Sequence, residues 1–320
     1  MNNNLSISYT DTGCPVQQMP PCVLCLGNFD GVHRGHAALL EQAIAQKKRL
    51  EAKYPGIACG VVTFTEPTHE VLSRTPLPRI TDLEEKRRLF TEHGIDILIA
   101  LEFSSVKDMS AEDFVRHVLQ LQCNCKMAVC GFNFRFGAGG AGTHDTLRSL
   151  MDGNAVVVPP VVIDGIAVSS TAIRAAIAQG DIQKANSFLG RPFSITDTVR
   201  HGRGVGNTLG FATINQHFKP NHIIPAKGVY AACCIVDGIS LPAVSNVGVH
   251  PTFGDGDEIV CETHILDFNG DLYGKTVTTQ LHYFIRPERK FDSPEQLTAE
   301  VQKNIQTAKD YYSENIAKKV

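Results

Sequence analysis

Nothing in this 320-residue sequence marks it for a membrane or for export. No apolar run approaches the roughly 18 residues that a membrane-spanning helix needs. The opening segment, MNNNLSISYTDTGCPVQQMP, has no basic stretch followed by an apolar one, so we expect no signal peptide and a cytoplasmic protein. The net charge of -3 supplies no overall basic field, and we expect neither nucleic acid nor a membrane as a partner. The sequence defines no oligomeric state.

The sequence also lacks the cysteine spacing of a zinc site or a disulfide framework. It has ten cysteines, and a chain that is not exported is expected to keep them reduced. Cys22 and Cys25 form a CxxC, but they lie in an apolar segment that predicts a buried strand, where residues three apart point to opposite faces. The adjacent Cys233 and Cys234 meet the same objection. We therefore expect buried thiols that behave as small apolar side chains.

The first half of the chain alternates strand-like and helix-like segments. Hydrophobic residues make up 43% of the chain, enough for packed cores, and 320 residues predict two domains. The alternation predicts an α/β fold with a parallel sheet whose ligands bind at the carboxyl ends of the strands. The predicted strands are 23–26, 60–64, 95–101 and 126–130, and the predicted helices are 36–53, 82–93 and 110–122.

The second half has a different pattern. Short runs rich in β-branched and aromatic residues are separated by Asp-Gly and Asn-Gly turns, which predicts an antiparallel barrel. A last helix over 294–314 is indicated by Ser293 as N-cap, Pro294 at the first position and Gln296 in a capping box. We place the domain boundary near residue 185, which gives domains 1–185 and 186–320. The predicted barrel strands are 226–236, 241–249, 259–268 and 276–285.

The segment GNFDGVHRGH, residues 27–36, follows a predicted buried strand and opens a predicted helix. Backbone N–H groups and the helix dipole make that position an anion site, and Gly27, Gly31 and Gly35 let a bulky ligand approach the backbone. We expect His33 and His36, three apart, to lie on one helix face. Two histidines are too few for a metal site. The residues therefore favour a phosphate site.

Three segments of the first half together resemble one family. GNFDGVHRGH (27–36) is similar to the HxGH signature of nucleotidylyltransferases, in the form found in bacterial FAD synthetases. GFNFRFG (131–137) and SSTAIR (169–174) are similar to the second and third nucleotide motifs of that family, in the expected order. The resemblance implies a Rossmann-like domain that transfers an adenylyl group from ATP to FMN, giving FAD and pyrophosphate.

The same resemblance implies roles for individual residues. His33 and His36 would act on the ATP phosphates during adenylyl transfer, and Asn133 would lie near the flavin phosphate. The further ATP-binding positions that it implies are Gly27, Asn28, Phe29, Asp30, Gly31, Gly35, Ser169, Ser170, Thr171 and Arg174.

Two segments depart from the family pattern. The family commonly has an acidic residue followed by Pro-His-Pro after its second strand, whereas this chain has Glu66-Pro67-Thr68-His69. A basic residue often follows the second motif, whereas residues 138–142 read AGGAG. We expect a less cationic and more mobile loop there.

The second half resembles the riboflavin kinase module along its length. GFATIN (210–215) matches the segment that binds ATP and Mg²⁺ in that family, which implies ATP at Gly210 and Thr213 and Mg²⁺ at Thr213 and Asn215. Glu262 matches the base that takes the proton of the riboflavin 5′-hydroxyl, and Arg289 would contact the flavin. The departures from the kinase pattern are Ala212, Ile214 and Asn207, with Arg203 as a substitute for the absent arginine.

We therefore expect a bifunctional flavoprotein enzyme with an HxGH adenylyltransferase domain, a β-barrel riboflavin kinase domain and a terminal helix. Its substrates and products would be ATP, riboflavin, FMN and FAD, with Mg²⁺ as cofactor. One alternative is an FMN adenylyltransferase whose kinase half is slow or silent. Another is a flavin-binding or regulatory protein without activity. A cytidylyl- or pantetheine-type HxGH transferase is hard to reconcile with the second domain.

Overall fold

The computed structural model describes residues 19–66, 68–73, 77–200, 211–251 and 257–317. The chain forms two compact units, Met1–Ser170 and Thr171–Val320. The boundary expected near residue 185 falls within the second unit. No helix in the described ranges is both long and apolar enough to cross a membrane.

The first unit contains a five-stranded sheet in which all neighbouring strands are parallel. Its members are β1 (Cys22–Leu26), β2 (Ala58–Phe64), β3 (Ile97–Leu101), β4 (Cys125–Gly131) and β7 (Ala155–Val158). The strand order is β3-β2-β1-β4-β7. The chain thus moves outward from β1 to β3 and returns past β1 to β4. This reversal places the ligand crevice of such sheets at the carboxyl ends of β1 and β4. The predicted parallel α/β fold is confirmed.

Both faces of this sheet are covered. The helices are α1 (Arg34–Leu50), α2 (Thr68–Ser73), α3 (Leu83–Glu92), α4 (Phe103–Val106), α5 (Ala111–Asp113) with a following π-helix (Phe114–Gln122), and α6 (His144–Leu150). Cys22 belongs to one buried cluster and Cys25 to the other, which confirms that they point to opposite faces. The nine cysteines in the described ranges are all buried; Cys14 lies outside them.

Two local features of this unit differ from the sequence-based expectation. The helix capped by Ser110 changes from α to π winding at Phe114. The glycine-rich segment includes a short 3₁₀ turn, Ala138–Gly140, between the two-residue strands β5 (Arg135–Phe136) and β6 (Gly142–Thr143). The N–H of Ala138 donates to the carbonyl of Met109 at 2.6 Å. One backbone hydrogen bond thus joins this segment to Met109, and its expected mobility stays a prediction.

The second unit is a six-stranded antiparallel barrel. The first unit ends with a small hairpin, β8 (Val162–Ile163) and β9 (Ile166–Ala167). Helix α7 (Ser170–Gln179) then spans the division between the units, and α8 (Ile182–Leu189) follows it. The barrel strands are β10 (Phe193–Thr198), β11 (Ile214–His217), β12 (Gly228–Val236), β13 (Ile239–Pro251), β14 (Asp257–Ile265) and β15 (Thr276–Pro287), in the order β10-β15-β12-β13-β14-β11. A single bridge between Arg200 and Asn215 nearly closes it. The predicted antiparallel barrel is confirmed.

The terminal helix, α9 (Pro294–Asn315), packs on the outside of the barrel through Ala308. Ser293 caps it by accepting from the N–H of Gln296, as predicted. The side chain of Gln296 accepts from the N–H of Asp292. In a capping box the N–H of Ser293 itself would donate to Gln296, so here the donor is one residue earlier than expected.

Candidate functional site

The turn that follows β1 has a strained backbone. Phe29, Gly31 and Val32 have φ angles of 50°, 86° and 37°. Glycine adopts positive φ freely, but a β-branched valine does so only at a cost of roughly 1–3 kcal/mol. The Phe29 ring is fully buried and meets Phe90 edge-on at 5.4 Å, which holds the turn in this conformation. Strain of this kind concentrates at binding and catalytic sites.

The two histidines of the turn support each other. Helix α1 begins at Arg34, two residues earlier than predicted, so His33 is its N-cap and His36 lies in its first turn. The Nδ1 atom of His33 accepts from the N–H of His36, and the Nδ1 atom of His36 accepts from the N–H of His33, each at 3.3 Å. The rings stack with centroids 3.6 Å apart. Imidazole thus replaces the usual hydroxyl and carboxylate of a capping box.

This geometry assigns the tautomer of both rings. A nitrogen that accepts a hydrogen bond carries no proton, so His33 and His36 each hold their proton on Nε2 when neutral. Each Nε2–H is therefore a donor at the amino end of α1, where the helix dipole favours an anion. A Cβ on Gly35 would lie 3.1 Å from Cε1 of His33. Glycine at 35 thus leaves room for the His33 ring.

The carbonyl of Asn28 is the acceptor for two side chains. It accepts from Lys86 Nζ at 2.8 Å and from Thr63 Oγ1 at 3.0 Å. The Asn28 amide in turn donates to Thr68 Oγ1 at 3.1 Å. Burial lowers the pKa of the Lys86 ammonium to about 8, and the nearby Asp30 carboxylate opposes that shift. A cation therefore lies beside the turn on the side of α3.

The Asp30 side chain connects the turn to the loop before α3. Its Oδ1 accepts from the N–H groups of Ile80 and Thr81, both at 3.0 Å. The N–H of Gly31 donates to Thr81 Oγ1 at 2.8 Å. The carboxylate thus acts on the backbone of a segment 50 residues away.

The third motif reaches the same turn. The hydroxyl of Ser170, at the start of α7, donates to the carbonyl of Asp30 at 2.8 Å. Arg174 lies one helical turn further along α7 and is half-buried, whereas Thr171 is exposed. Asn133 is exposed in the turn that follows β4, and Ser169 is half-buried just before α7. The first unit therefore gathers His33, His36, the residue 27–31 turn and Ser170 at the carboxyl end of β1.

In the second unit, two predicted kinase residues, Asn215 and Glu262, form a row with Asn246 across three strands. Glu262 on β14 is the ladder partner of Asn215 on β11 and of Asn246 on β13. Ladder partners share a face and have Cα atoms about 4.5–5.5 Å apart. Thr213 directly precedes β11, on the same side as Asn215. Gly210 and the departures at Arg203 and Asn207 lie outside the described residues.

Further contacts fix the ends of this row. His264 Nδ1 lies 2.9 Å from the carbonyl of Ala212, so β14 holds the segment that carries Thr213. At the far side, Glu300 of α9 bonds Arg289 at 2.5 Å and Arg286 at 3.3 Å. Burial lowers the pKa of the Arg286 guanidinium. The Arg289 guanidinium lies 5.0 Å above the Phe291 ring.

Sequence reasoning missed four residues of these sites. Thr68, Thr81, Lys86 and Asn246 entered no predicted role. Thr68 was visible only as a departure from the family pattern, whereas Thr81 directly precedes the Asp82 N-cap of α3 and Lys86 lies one helical turn after it. The place of Asn246 beside Glu262 depends on strand register, which requires the barrel.

The chain joins a parallel sheet, with a histidine-capped turn at its carboxyl end, to a barrel that carries a carboxylate between two amides. Two family models identify it as a two-part transferase. Residues 16–172 match the FAD synthetase family model, and residues 189–312 match the riboflavin kinase model.

Relatives match along nearly the whole chain. The bifunctional riboflavin kinase/FMN adenylyltransferase of Bacillus subtilis is 34% identical over 93% of this chain and 94% of its own length. The protein of the same description from Escherichia coli K12 is 35% identical over 91% and 93%. A crystal structure described as a macrolide-efflux protein from Streptococcus pneumoniae has a TM-score of 0.86 and 30% identity, covering 95% of this chain and 99% of that one. This chain belongs to the bifunctional riboflavin kinase/FMN adenylyltransferase family.

Proposed function

We propose that the chain makes FAD in two steps, and that adenylyl transfer from ATP to FMN takes place at the His33–His36 turn. The observation that carries this assignment is the reciprocal histidine cap at the amino end of α1, which uses both Nδ1 atoms as acceptors and so puts the proton of each neutral ring on Nε2. Oxygen atoms of the α-phosphate gain negative charge as the FMN phosphate attacks in line. The two imidazoles donate to this charge, and pyrophosphate leaves without a covalent enzyme intermediate.

Other residues of the turn position ATP rather than react. Lys86 and Asp30 act through the backbone, because the ammonium holds the Asn28 carbonyl and the carboxylate holds the 80–81 loop. Asn28, Phe29 and the neighbouring glycines form the cradle for the nucleotide. Ser169, Ser170, Thr171 and Arg174 supply further phosphate contacts, and Arg174 fits that role as a permanent cation with a planar fork of donors. Asn133, exposed after β4, contacts the FMN phosphate.

The second proposal is that riboflavin is phosphorylated on the outer face of the barrel. Glu262 takes the proton of the 5′-hydroxyl as that oxygen attacks the γ-phosphate of a second ATP. Thr213 and Asn215 supply neutral oxygen atoms, which suit Mg²⁺ bound mainly through substrate phosphates. Among the described residues, no group of three or more His, Cys, Asp or Glu side chains could hold a metal. The donor set fits an ion that neutralises phosphate charge and takes its other ligands from phosphate and water.

We assign the two activities to the domains that the sequence predicts. Residues 1–185 carry adenylyl transfer and residues 186–320 carry the kinase, with Gly210 and Thr213 at the kinase ATP and Arg289 at the flavin. Cytoplasmic location and the absence of a nucleic-acid partner stay predictions.

The test separates the two activities. The purified chain is incubated with ATP and Mg²⁺, once with riboflavin and once with FMN, and the flavins are resolved by chromatography. We expect FMN and FAD from riboflavin, and FAD from FMN. FAD from FMN with nothing from riboflavin would leave only the adenylyltransferase, the alternative motivated by Ala212 and Ile214. No product from either flavin would refute both activities.

A further inference from the structure

A second carboxylate lies on the outer face of the barrel beside Glu262. A Cβ built on Gly248 of β13 would overlap with Oε1 of Glu288, and it would lie 3.0 Å from Nδ2 of Asn246. The Glu288 carboxylate and the Asn246 amide therefore meet at the same point of the strand. Gly228, the first residue of β12, is the ladder partner of Val247 on one side and of Pro287 on the other. Gly248 and Glu288 each follow those partners, so the Glu288 side chain reaches Gly248 past the start of β12.

Strand register places this pair relative to the reacting group. Asn215, Glu262 and Asn246 form one row across β11, β14 and β13. Gly248 is two residues beyond Asn246 on the same face, about 7 Å along the strand. Glu262 thus lies between the proposed Mg²⁺ ligand on one side and the Asn246–Glu288 pair on the other. The pair therefore lies on the side of Glu262 that is away from Asn215.

We propose that Glu288 and Asn246 bind the ribityl hydroxyls of riboflavin and so determine specificity for a polyhydroxylated side chain. This inference rests on the proposed kinase activity. A ribityl chain whose 5′-hydroxyl lies at Glu262 extends along β13 and presents its remaining hydroxyls to the pair. A carboxylate accepts from hydroxyls, and an amide both donates and accepts, which matches the two-way hydrogen bonding of a polyol.

Gly248 is part of the same arrangement. It is buried and has no positive φ, so its backbone conformation admits alanine. An alanine methyl would take the space that the Glu288 carboxylate occupies. Gly248→Ala therefore displaces the carboxylate without altering its chemistry.

The experiment measures riboflavin kinase kinetics of the parent chain and of two test variants, Glu288→Gln and Gly248→Ala. The control is Glu314→Gln, which changes an exposed carboxylate in the last turn of α9. We expect both test variants to raise the KM for riboflavin by about tenfold. The KM for ATP and FAD formation from FMN stay unchanged, and the latter shows that the first unit is intact. Thermal unfolding that matches the control shows that the barrel is folded.

Deoxyriboflavins identify the contact. The parent chain should bind the analogue that lacks a recognised hydroxyl more weakly than it binds riboflavin. Glu288→Gln should bind that analogue and riboflavin almost equally, because the variant has already lost the hydrogen bond to that hydroxyl. Equal losses in both proteins for every deoxy analogue would overturn the proposal. So would an unchanged riboflavin KM, or an effect confined to ATP and Mg²⁺, which would make Glu288 part of the metal site. If the parent chain makes no FMN, riboflavin affinity can be measured by flavin fluorescence and the same comparison made. The ribityl-binding proposal can therefore fail independently of the proposed kinase activity.

Discussion

Replacement of Gly35 by alanine tests whether the orientation of the His33 imidazole controls adenylyl transfer. The new Cβ would lie 3.1 Å from Cε1 and 3.2 Å from Nδ1 of His33, so the ring must move by a few tenths of an ångström. That ring is 6% exposed and stacked on His36, so the movement also disturbs its neighbour.

The effect on folding should be small because two contributions oppose each other. Weakening the N-cap costs about 0.5–2 kcal/mol. Alanine in place of glycine in a helix contributes up to about 1 kcal/mol in the other direction. Catalysis has no such compensation: a misplacement of about 1 Å costs roughly a hundredfold in rate, and a smaller shift should cost about tenfold, or ~1.4 kcal/mol in the barrier.

The assay compares FAD formation from FMN with FMN formation from riboflavin in the same preparation of Gly35→Ala. We expect the first to fall about tenfold in kcat, the second to be unchanged, and the melting temperature to shift little. Glu41→Ala, at an exposed position of the same helix, is the matched control. Full adenylyl transfer in Gly35→Ala would refute the claim that the histidine geometry matters. A fall in both activities would point to unfolding.

Two further predictions concern the supports of the turn. FAD formation should decline as the pH rises through about 8, because the Lys86 ammonium then loses its proton and its hydrogen bond to Asn28. Lys86→Arg should move the decline to higher pH. A pH profile that is the same in Lys86→Arg would exclude Lys86 as the cause of the decline. Asp30→Asn weakens the charge-assisted hydrogen bonds to Ile80 and Thr81, so it should lower the free energy of unfolding by about 1–3 kcal/mol. Urea denaturation measures this loss, and the KM for ATP should rise. An unchanged free energy of unfolding would show that the carboxylate does not anchor the loop.

Regular structure was predictable from local pattern. Continuous apolar runs, helical spacing and the Ser293 cap are properties of neighbouring residues, and the structure follows them to within a few positions. Opposite burial of Cys22 and Cys25 followed from strand alternation alone.

The supports of the sites were not predictable in this way. Imidazole is an unusual cap, so a histidine before a helix does not suggest that role. The Asp30 bonds join residues 50 apart, and only the folded sheet brings them together. The pairing of Glu288 with Gly248 depends on register across β15, β12 and β13, and a slip of one residue would move the groups to opposite faces.

The most direct test of the two-site account is the flavin product pattern of His36→Ala and Glu262→Ala, alone and mixed. His36→Ala should convert riboflavin to FMN and stop there. Glu262→Ala should convert FMN to FAD but leave riboflavin unchanged. An equimolar mixture should make FAD from riboflavin, because FMN released by one variant is the substrate of the other. Loss of both activities in either single variant, or a mixture that makes no FAD, would contradict separate sites.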